Sequence, residues 1–343
     1  MKNKLMAVVL VLVVLLTSGC GTSNYIKDEN KKIVQYEKTG QNLPSNILCQ
    51  PNDKELYELY NKYNDQLKVP LEELPKCDEF RVTTTGSGIW EFLFVKPLAF
   101  LILKLGYLVG NMGISLIIVG LLIRIILLPF SYKMQKQSKE MQKVQSEMQK
   151  LEYKYRGRDD RDAMMMKAQE MREIYKKHHV SPMGGCLLAF IQLPVFFAFL
   201  QAINRVPAIF DDKLFGFNLG MTPYVGLSQG NYWYILLIIL IAASTYFSFK
   251  YSMRQNNMNA SGSQQMPDMS MMTNIMVVMI VMTSFSLTTA LSFYWIVTYA
   301  FIAIQTYIFK KLMNKDNKSI NKHNKKIQDK LKMKKGLKYG SNN

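Results

Sequence analysis

Arg124 is the only charged residue in residues 113–130, GISLIIVGLLIRIILLPF, a stretch long and apolar enough to cross a membrane. A guanidinium keeps its proton at any depth. At the centre of a spanning helix it costs at least ~2.5–3.5 kcal/mol, so it must face protein or a water-filled cavity, and by default it marks a functional site. Snorkelling fits poorly, because Ile125 to Phe130, including Pro129, separate it from the polar cluster at residues 131–133. The chemistry on offer is electrostatic: a fixed positive charge that attracts acidic groups where the dielectric is low. Polar residues of other apolar stretches that could share its cavity are Ser115, Gln192, Ser244, Ser248, Tyr294, Trp295, Thr298 and Gln305. Singly, each is an ordinary helix–helix hydrogen-bonding group. Together with Arg124 they imply one wet face inside a helical bundle.

Covalent chemistry finds no support. The chain has no HExxH, no GxxxxGK[ST] and no GxGxxG. His178 and His179 are adjacent, so they point to different faces of a helix and read as surface residues. No carboxylate falls in any of the five apolar stretches taken as spans, which weakens a proton- or sodium-coupled transporter. The expectation is a protein that is not an enzyme, without cofactor, metal or small-molecule substrate. A transporter or channel of small solutes is the alternative, and it would need a path open in turn to both sides. A purely structural lipoprotein would have no use for Arg124.

The elements that position these residues follow from composition. The chain has 343 residues, 49% hydrophobic, with the apolar ones blocked into long runs, and a formal net charge of +18. That charge concentrates in residues 132–179 and 310–343, as expected of segments on the cytoplasmic side or against anionic lipid or RNA. Residues 1–19 read as a signal peptide: Lys2 and Lys4, an apolar core, then small residues before Cys20. LTSGC resembles a lipoprotein cleavage site, which makes Cys20 the lipidated first residue of the mature chain. Residues 20–88 form an extracytoplasmic region with a helix near residues 53–67 and otherwise loop. Its Cys49 and Cys77 either pair in an oxidising compartment or stay free.

An all-α membrane protein with five transmembrane helices is the predicted fold. Residues 89–109 are apolar but interrupted by Glu91, Lys96, Pro97 and Lys104. They are assigned to an outer interfacial amphipathic helix, since a sixth span would put the basic segments outside. The spans are residues 110–131, 184–206, 232–249, 271–285 and 291–310. Between them come a cytoplasmic helical hairpin (132–183), an extracellular loop (207–231) and a cytoplasmic loop (250–270). In the hairpin, Met134, Met141, Val144, Met148, Leu151 and Tyr155 make one helical face, and Met164, Ala168, Met171 and Tyr175 the other. Gly157 and Asp159-Asp160 break the first helix, and an Asp there can cap the second. The tail, 311–343, is strongly basic and expected to be disordered. The N-terminus is placed outside and the C-terminus in the cytoplasm of a bacterial cell.

These residues carry a family resemblance. LIRIILLPF, the run KKHHVSPMGGCLLAFIQLPVFFAFLQAI, the Met-rich loop and ALSFYWIVTYAFIAIQTYIF resemble, in that order, a Gram-positive YidC-type membrane protein insertase of the Oxa superfamily. The similarity covers about residues 89–311. It implies insertion of nascent membrane proteins into the lipid bilayer, alone or beside the Sec translocon. It also implies a hydrophilic groove open to the cytoplasm and to lipid, with Arg124 as the groove arginine and Trp295, beside Tyr294, at a substrate-contacting position. The basic tail would meet the ribosome. Gly120 and Ser248 stand where the family often has longer polar residues, and the fourth span lacks an expected proline.

The lipidation reading is checked directly. Cys20→Ala is expected to abolish lipid labelling and signal cleavage, seen as a slower-migrating band. Unchanged mobility and label would remove Cys20 from that role.

Overall fold

The computed structural model describes residues 25–84, 88–158, 160–178, 184–255 and 269–339. Cys20, the signal segment, His179 and most of the 250–270 loop lie outside the described residues. The helices are α1 (Lys54–Lys62), α2 (Lys96–Val109), α3 (Met112–Ile126), α4 (Leu128–Lys154), α5 (Arg161–Lys177), α6 (Gly184–Asn204), α7 (Pro223–Ser228), α8 (Trp233–Gln255), α9 (Met269–Ser284) and α10 (Thr289–Tyr339). Two short antiparallel ribbons accompany them: β1 (Gln35–Tyr36) with β2 (Gln41–Asn42), and β3 (Lys213–Leu214) with β4 (Phe217–Asn218).

Glu91–Val109, Trp233–Lys250 and Thr289–Asn314 are long and apolar enough to cross a membrane, and α3 with the start of α4 adds a fourth span if a 52° bend is counted within it. Gln192–Asn204 is a shorter apolar helix. The chain is therefore an all-α membrane protein, with three or four helices among the described residues long and apolar enough to span. Two features differ from expectation. Residues 89–109, assigned to an interface, are by length and composition able to span; they open with a π-helical turn, Glu91–Val95, and then pack along α3. The first span, expected to run unbroken to residue 131, breaks at Leu127. Pro129 explains the break: it lacks an N–H, and its ring clashes with the carbonyl one turn back.

Two further expectations are corrected. α5 turns Ala163, Met171 and Ile174 toward Leu151 and Tyr155 of α4, while Met164 and Ala168 are exposed. This rotation lets Glu170 reach Lys154 Nζ at 2.6 Å and the Tyr155 hydroxyl at 2.9 Å. The turn residues behave as read, with Gly157 at φ +77° and the Asp160 carboxylate accepting from the Ala163 N–H. The tail, expected to be disordered, continues α10 as helix to Tyr339. Lysine is a good helix former, no proline interrupts the tail, and Met313, Ile320 and Ile327 recur at seven-residue spacing.

The N-terminal region is more built than its sequence indicates. Ile26, Tyr36, Leu43, Ile47, Leu56, Tyr60, Leu71 and Leu74 form a small core of their own. Asp53 caps α1 through the Leu56 N–H at 2.9 Å. That bond, with the Tyr36 hydroxyl and Lys38, holds the Asp53 carboxyl below the usual carboxylate range. Cys49 and Cys77 are joined in a disulfide. Both belong, with Leu48 and Phe80, to the core of the helical bundle. The region thus merges with one end of the bundle. Its own core is too small to be stable alone, so a covalent staple and a docking surface make up the deficit.

Cys77→Ser is expected to lower the stability of this region by about 3 kcal/mol, the usual contribution for a loop of this length. The check is protease resistance of residues 25–84 in urea; unaltered resistance would show that docking alone suffices.

Candidate functional site

α3 is fixed at its start before it delivers Arg124 at its end. Asn111 caps the helix by accepting from the Ile114 N–H at 2.9 Å. Asp212, at the β3 ribbon, accepts from the Met112 N–H at 2.6 Å and from Asn111 Nδ2 at 3.1 Å. Gly113 lets Leu214 approach closer than any Cβ would permit. Arg124 falls in the last turn, where the helix dipole favours a cation. It is 8% exposed.

α10 supplies its neighbours, Tyr294 and Tyr299. Among the described residues no carboxylate pairs with Arg124. The Tyr294 hydroxyl lies beside the guanidinium and Thr298. Yet Arg124 Nη2, Tyr294 Oη and Thr298 Oγ1 are each buried without a well-formed hydrogen bond. Buried polar atoms are almost always satisfied. Arg124, Tyr294 and Thr298 thus form a buried polar cluster among the described residues.

Aromatic rings wall the site. Tyr294 stacks on Phe199 of α6 at 4.1 Å between centroids, and Trp295 meets Phe196 at 5.2 Å and Tyr299 at 6.0 Å. Phe249 of α8 reaches Tyr299 at 6.0 Å. Gly120 explains how Tyr294 comes so near α3: a Cβ there would stand 3.2 Å from the tyrosine ring.

The residues read from the sequence divide into two groups. Tyr294 and Thr298 lie beside Arg124, and Trp295 is next along α10. Gln192, half-buried, is one turn from Phe196, and buried Ser248 adjoins Phe249. Ser115 stands apart: its hydroxyl donates to the Ile102 carbonyl of α2 at 2.5 Å, roughly 13 Å along the helix from Arg124. Ser244 bonds within its own helix, to the Ile241 carbonyl at 3.1 Å. Phe196, Phe199 and Tyr299 were missed, although Trp295 and Tyr299 are spaced i, i+4. Gln135 was missed too. It donates to Thr306 Oγ1 at 3.1 Å, in a buried link between α4 and α10 beyond the bend.

A family described as 60Kd inner membrane protein matches residues 104–318. The chain belongs to this family and is a multi-pass cell membrane protein. Among its relatives is Membrane protein insertase YidC 2 of Bacillus anthracis, 36% identical over 237 residues, 68% of this chain and 87% of that protein. Membrane protein insertase MisCA of Bacillus subtilis (strain 168) is 35% identical over 231 residues, 67% of this chain and 82% of the relative. Membrane protein insertase YidC of Oceanobacillus iheyensis is 32% identical over 243 residues, covering 70% and 92%.

The Gly120 contact generates a test. Gly120→Thr is expected to push Tyr294 off α3 and destabilise the bundle by about 1–3 kcal/mol, as overpacking does. Pairing it with Tyr294→Ala should recover part of the loss, because the clash is removed. The measurement is thermal stability of the purified protein in detergent; no recovery would place the strain elsewhere.

Proposed function

We propose that this chain inserts small membrane proteins into the lipid bilayer. The observation that carries this reading is Arg124, a buried guanidinium without a carboxylate partner among the described residues, beside orphaned hydroxyls. A structural arginine would be paired; an unpaired one is available to cargo. The relatives named as membrane protein insertases support the same reading.

The physics is that of a shortened barrier. A short polar segment crossing the bilayer core of ~30 Å leaves backbone groups unsatisfied, at several kcal/mol each. A groove that brings water part-way from the cytoplasm reduces the apolar distance. Arg124 attracts an acidic segment into it. Tyr294 and Trp295, with Gln192 and Ser248 nearby, line the path, and the cargo's apolar stretch moves sideways into lipid, driven by burial of its apolar surface. Ser115 is better assigned to holding α2 on α3. No covalent step is required.

The orientation follows from charge. With residues 25–84 outside and α4, α5 and the tail in the cytoplasm, every basic block lies inside. Residues 89–109 then stay at the outer interface despite their length, tethered there by the polar contacts of Glu91 and Lys96. Nascent chains are the cargo. The Sec translocon is a partner for larger substrates, and the lysine-rich end of α10 favours ribosomal RNA.

Arg124→Ala is expected to impair insertion of substrates with acidic translocated segments by about tenfold or more, a loss of ~1.4 kcal/mol, and to affect neutral-segment substrates far less. Arg124→Lys should retain most activity, since it keeps the charge and loses only the planar fork. Insertion of matched substrates, read beside the steady-state level of each variant, decides the matter. Equal loss for both substrates with reduced protein level would make Arg124 a structural residue and overturn the reading.

A further inference from the structure

Residues 25–84 precede the family match, which begins at residue 104, and their contacts assign them a task. Several of their contacts with the bundle converge on Arg205, just past the end of α6. Arg205 is 5% exposed, and its Nη1 donates to Glu91 Oε1 at 2.8 Å. Its backbone carbonyl accepts from the Leu48 N–H at 2.9 Å. Gln201 Oε1 accepts from Arg205 Nη2 at 3.3 Å, and with the Asn46 amide turned so that its oxygen faces the guanidinium, that oxygen accepts from Nε at 3.1 Å and Nη2 at 2.8 Å. Lys68 completes the group, 3.5 Å from Glu91.

Further bonds flank the hub. Lys96 Nζ donates to the Thr83 carbonyl at 2.8 Å. The Thr222 N–H donates to the Thr39 carbonyl at 3.2 Å, where Gly40, at φ +71°, lies flat against Val225. A mere spacer between a lipidated cysteine and the first helix would need none of these bonds.

We infer that residues 25–84 are a docked cap, and that the Arg205–Glu91 pair pins α6 and the start of α2 beneath it as positioning residues for the Arg124 site. The inference rests on the insertase reading. Its logic is mechanical. Phe199, which stacks on Tyr294, lies roughly 9 Å along α6 from Arg205. Phe196, which meets Trp295, is one turn further. Fixing the Arg205 end fixes the height of both rings over the site. The pin suits this use because a buried guanidinium tolerates little displacement: moving it strands a charge.

The test uses the full chain in intact cells, in a Cys186→Ala background. A reporter, Val206→Cys, replaces a fully buried residue next to the hub and is challenged with a membrane-impermeant maleimide. Glu91→Gln and Arg205→Met are each expected to speed labelling about tenfold or more through local opening. They should also lower insertion of acidic and neutral substrates alike. Arg205→Lys keeps the charge opposite Glu91 but loses the fork, and should fall between Arg205→Met and the natural chain in both readouts. Lys68→Met removes only the half-exposed partner and should raise labelling about twofold without loss of protein. Labelling unchanged in Lys68→Met and in the single hub variants overturns the pin. Faster labelling with undiminished insertion overturns it as well, because the cap would then be a passenger. Neither result resembles failure of the insertase reading, which shows as a missing difference between acidic and neutral substrates on Arg124→Ala.

Discussion

A cation that cannot give up its proton, held among apolar helices, is the constraint to which the rest of this structure answers. Arg124 needs a negative field, and α3 supplies one by ending just beyond it. It needs to be shielded from lipid, and α10 does so with Tyr294 and Tyr299. The break at Leu127 belongs to the same solution. A straight helix would carry the polar start of α4 further through the apolar layer; the 52° bend redirects it toward α10, where Gln135 bonds Thr306.

The two ends of the bundle are held by different physics. At the end bearing the N-terminal region, the fastenings are buried and directional: the Arg205–Glu91 pair, the Asp212 cap on α3 and the disulfide nearby. At the other end the buried Gln135–Thr306 link is joined by exposed pairs, Lys139 with Asn314, Lys154 with Glu170 and Lys177 with Glu147. Exposed pairs contribute little each and weaken with salt. On the proposed reading, the molecule is stiff where it must stay shut and compliant where cargo arrives.

Features set by short-range rules could be read from the sequence. Arg124 announced itself by cost alone, and the hairpin turn by Gly157 and the Asp159-Asp160 pair, of which Asp160 is the cap. What escaped depended on how elements meet. The α5 face was misjudged because Met164 to Met166 offer apolar side chains on every side, and the face that packs is chosen by how Ala163, Met171 and Ile174 meet Leu151 and Tyr155. Ser115 was grouped with Arg124 because composition cannot tell which neighbour a hydroxyl faces. Of the N-terminal region only the helix near residue 53 was legible, because part of its support comes from the bundle it docks on. Gly120 was read as a lost polar group, when its use is to leave room for an aromatic ring.

The unbroken course of α10 has one more consequence. A helix rises ~1.5 Å per residue, so the part from Lys311 to Tyr339 extends roughly 40 Å. Lysines on a flexible chain would sweep a broad volume as a diffuse charge cloud. Mounted on a rod that begins as a wall of the Arg124 site, they are set at graded, fixed distances from it. An anionic body gripping the far end would meet the site at a set range and bearing, and any tilt of the rod would reach the helix that carries Tyr294 and Trp295. On the proposed reading, the tail would then work as a boom, converting where a large partner docks into where its emerging chain is offered.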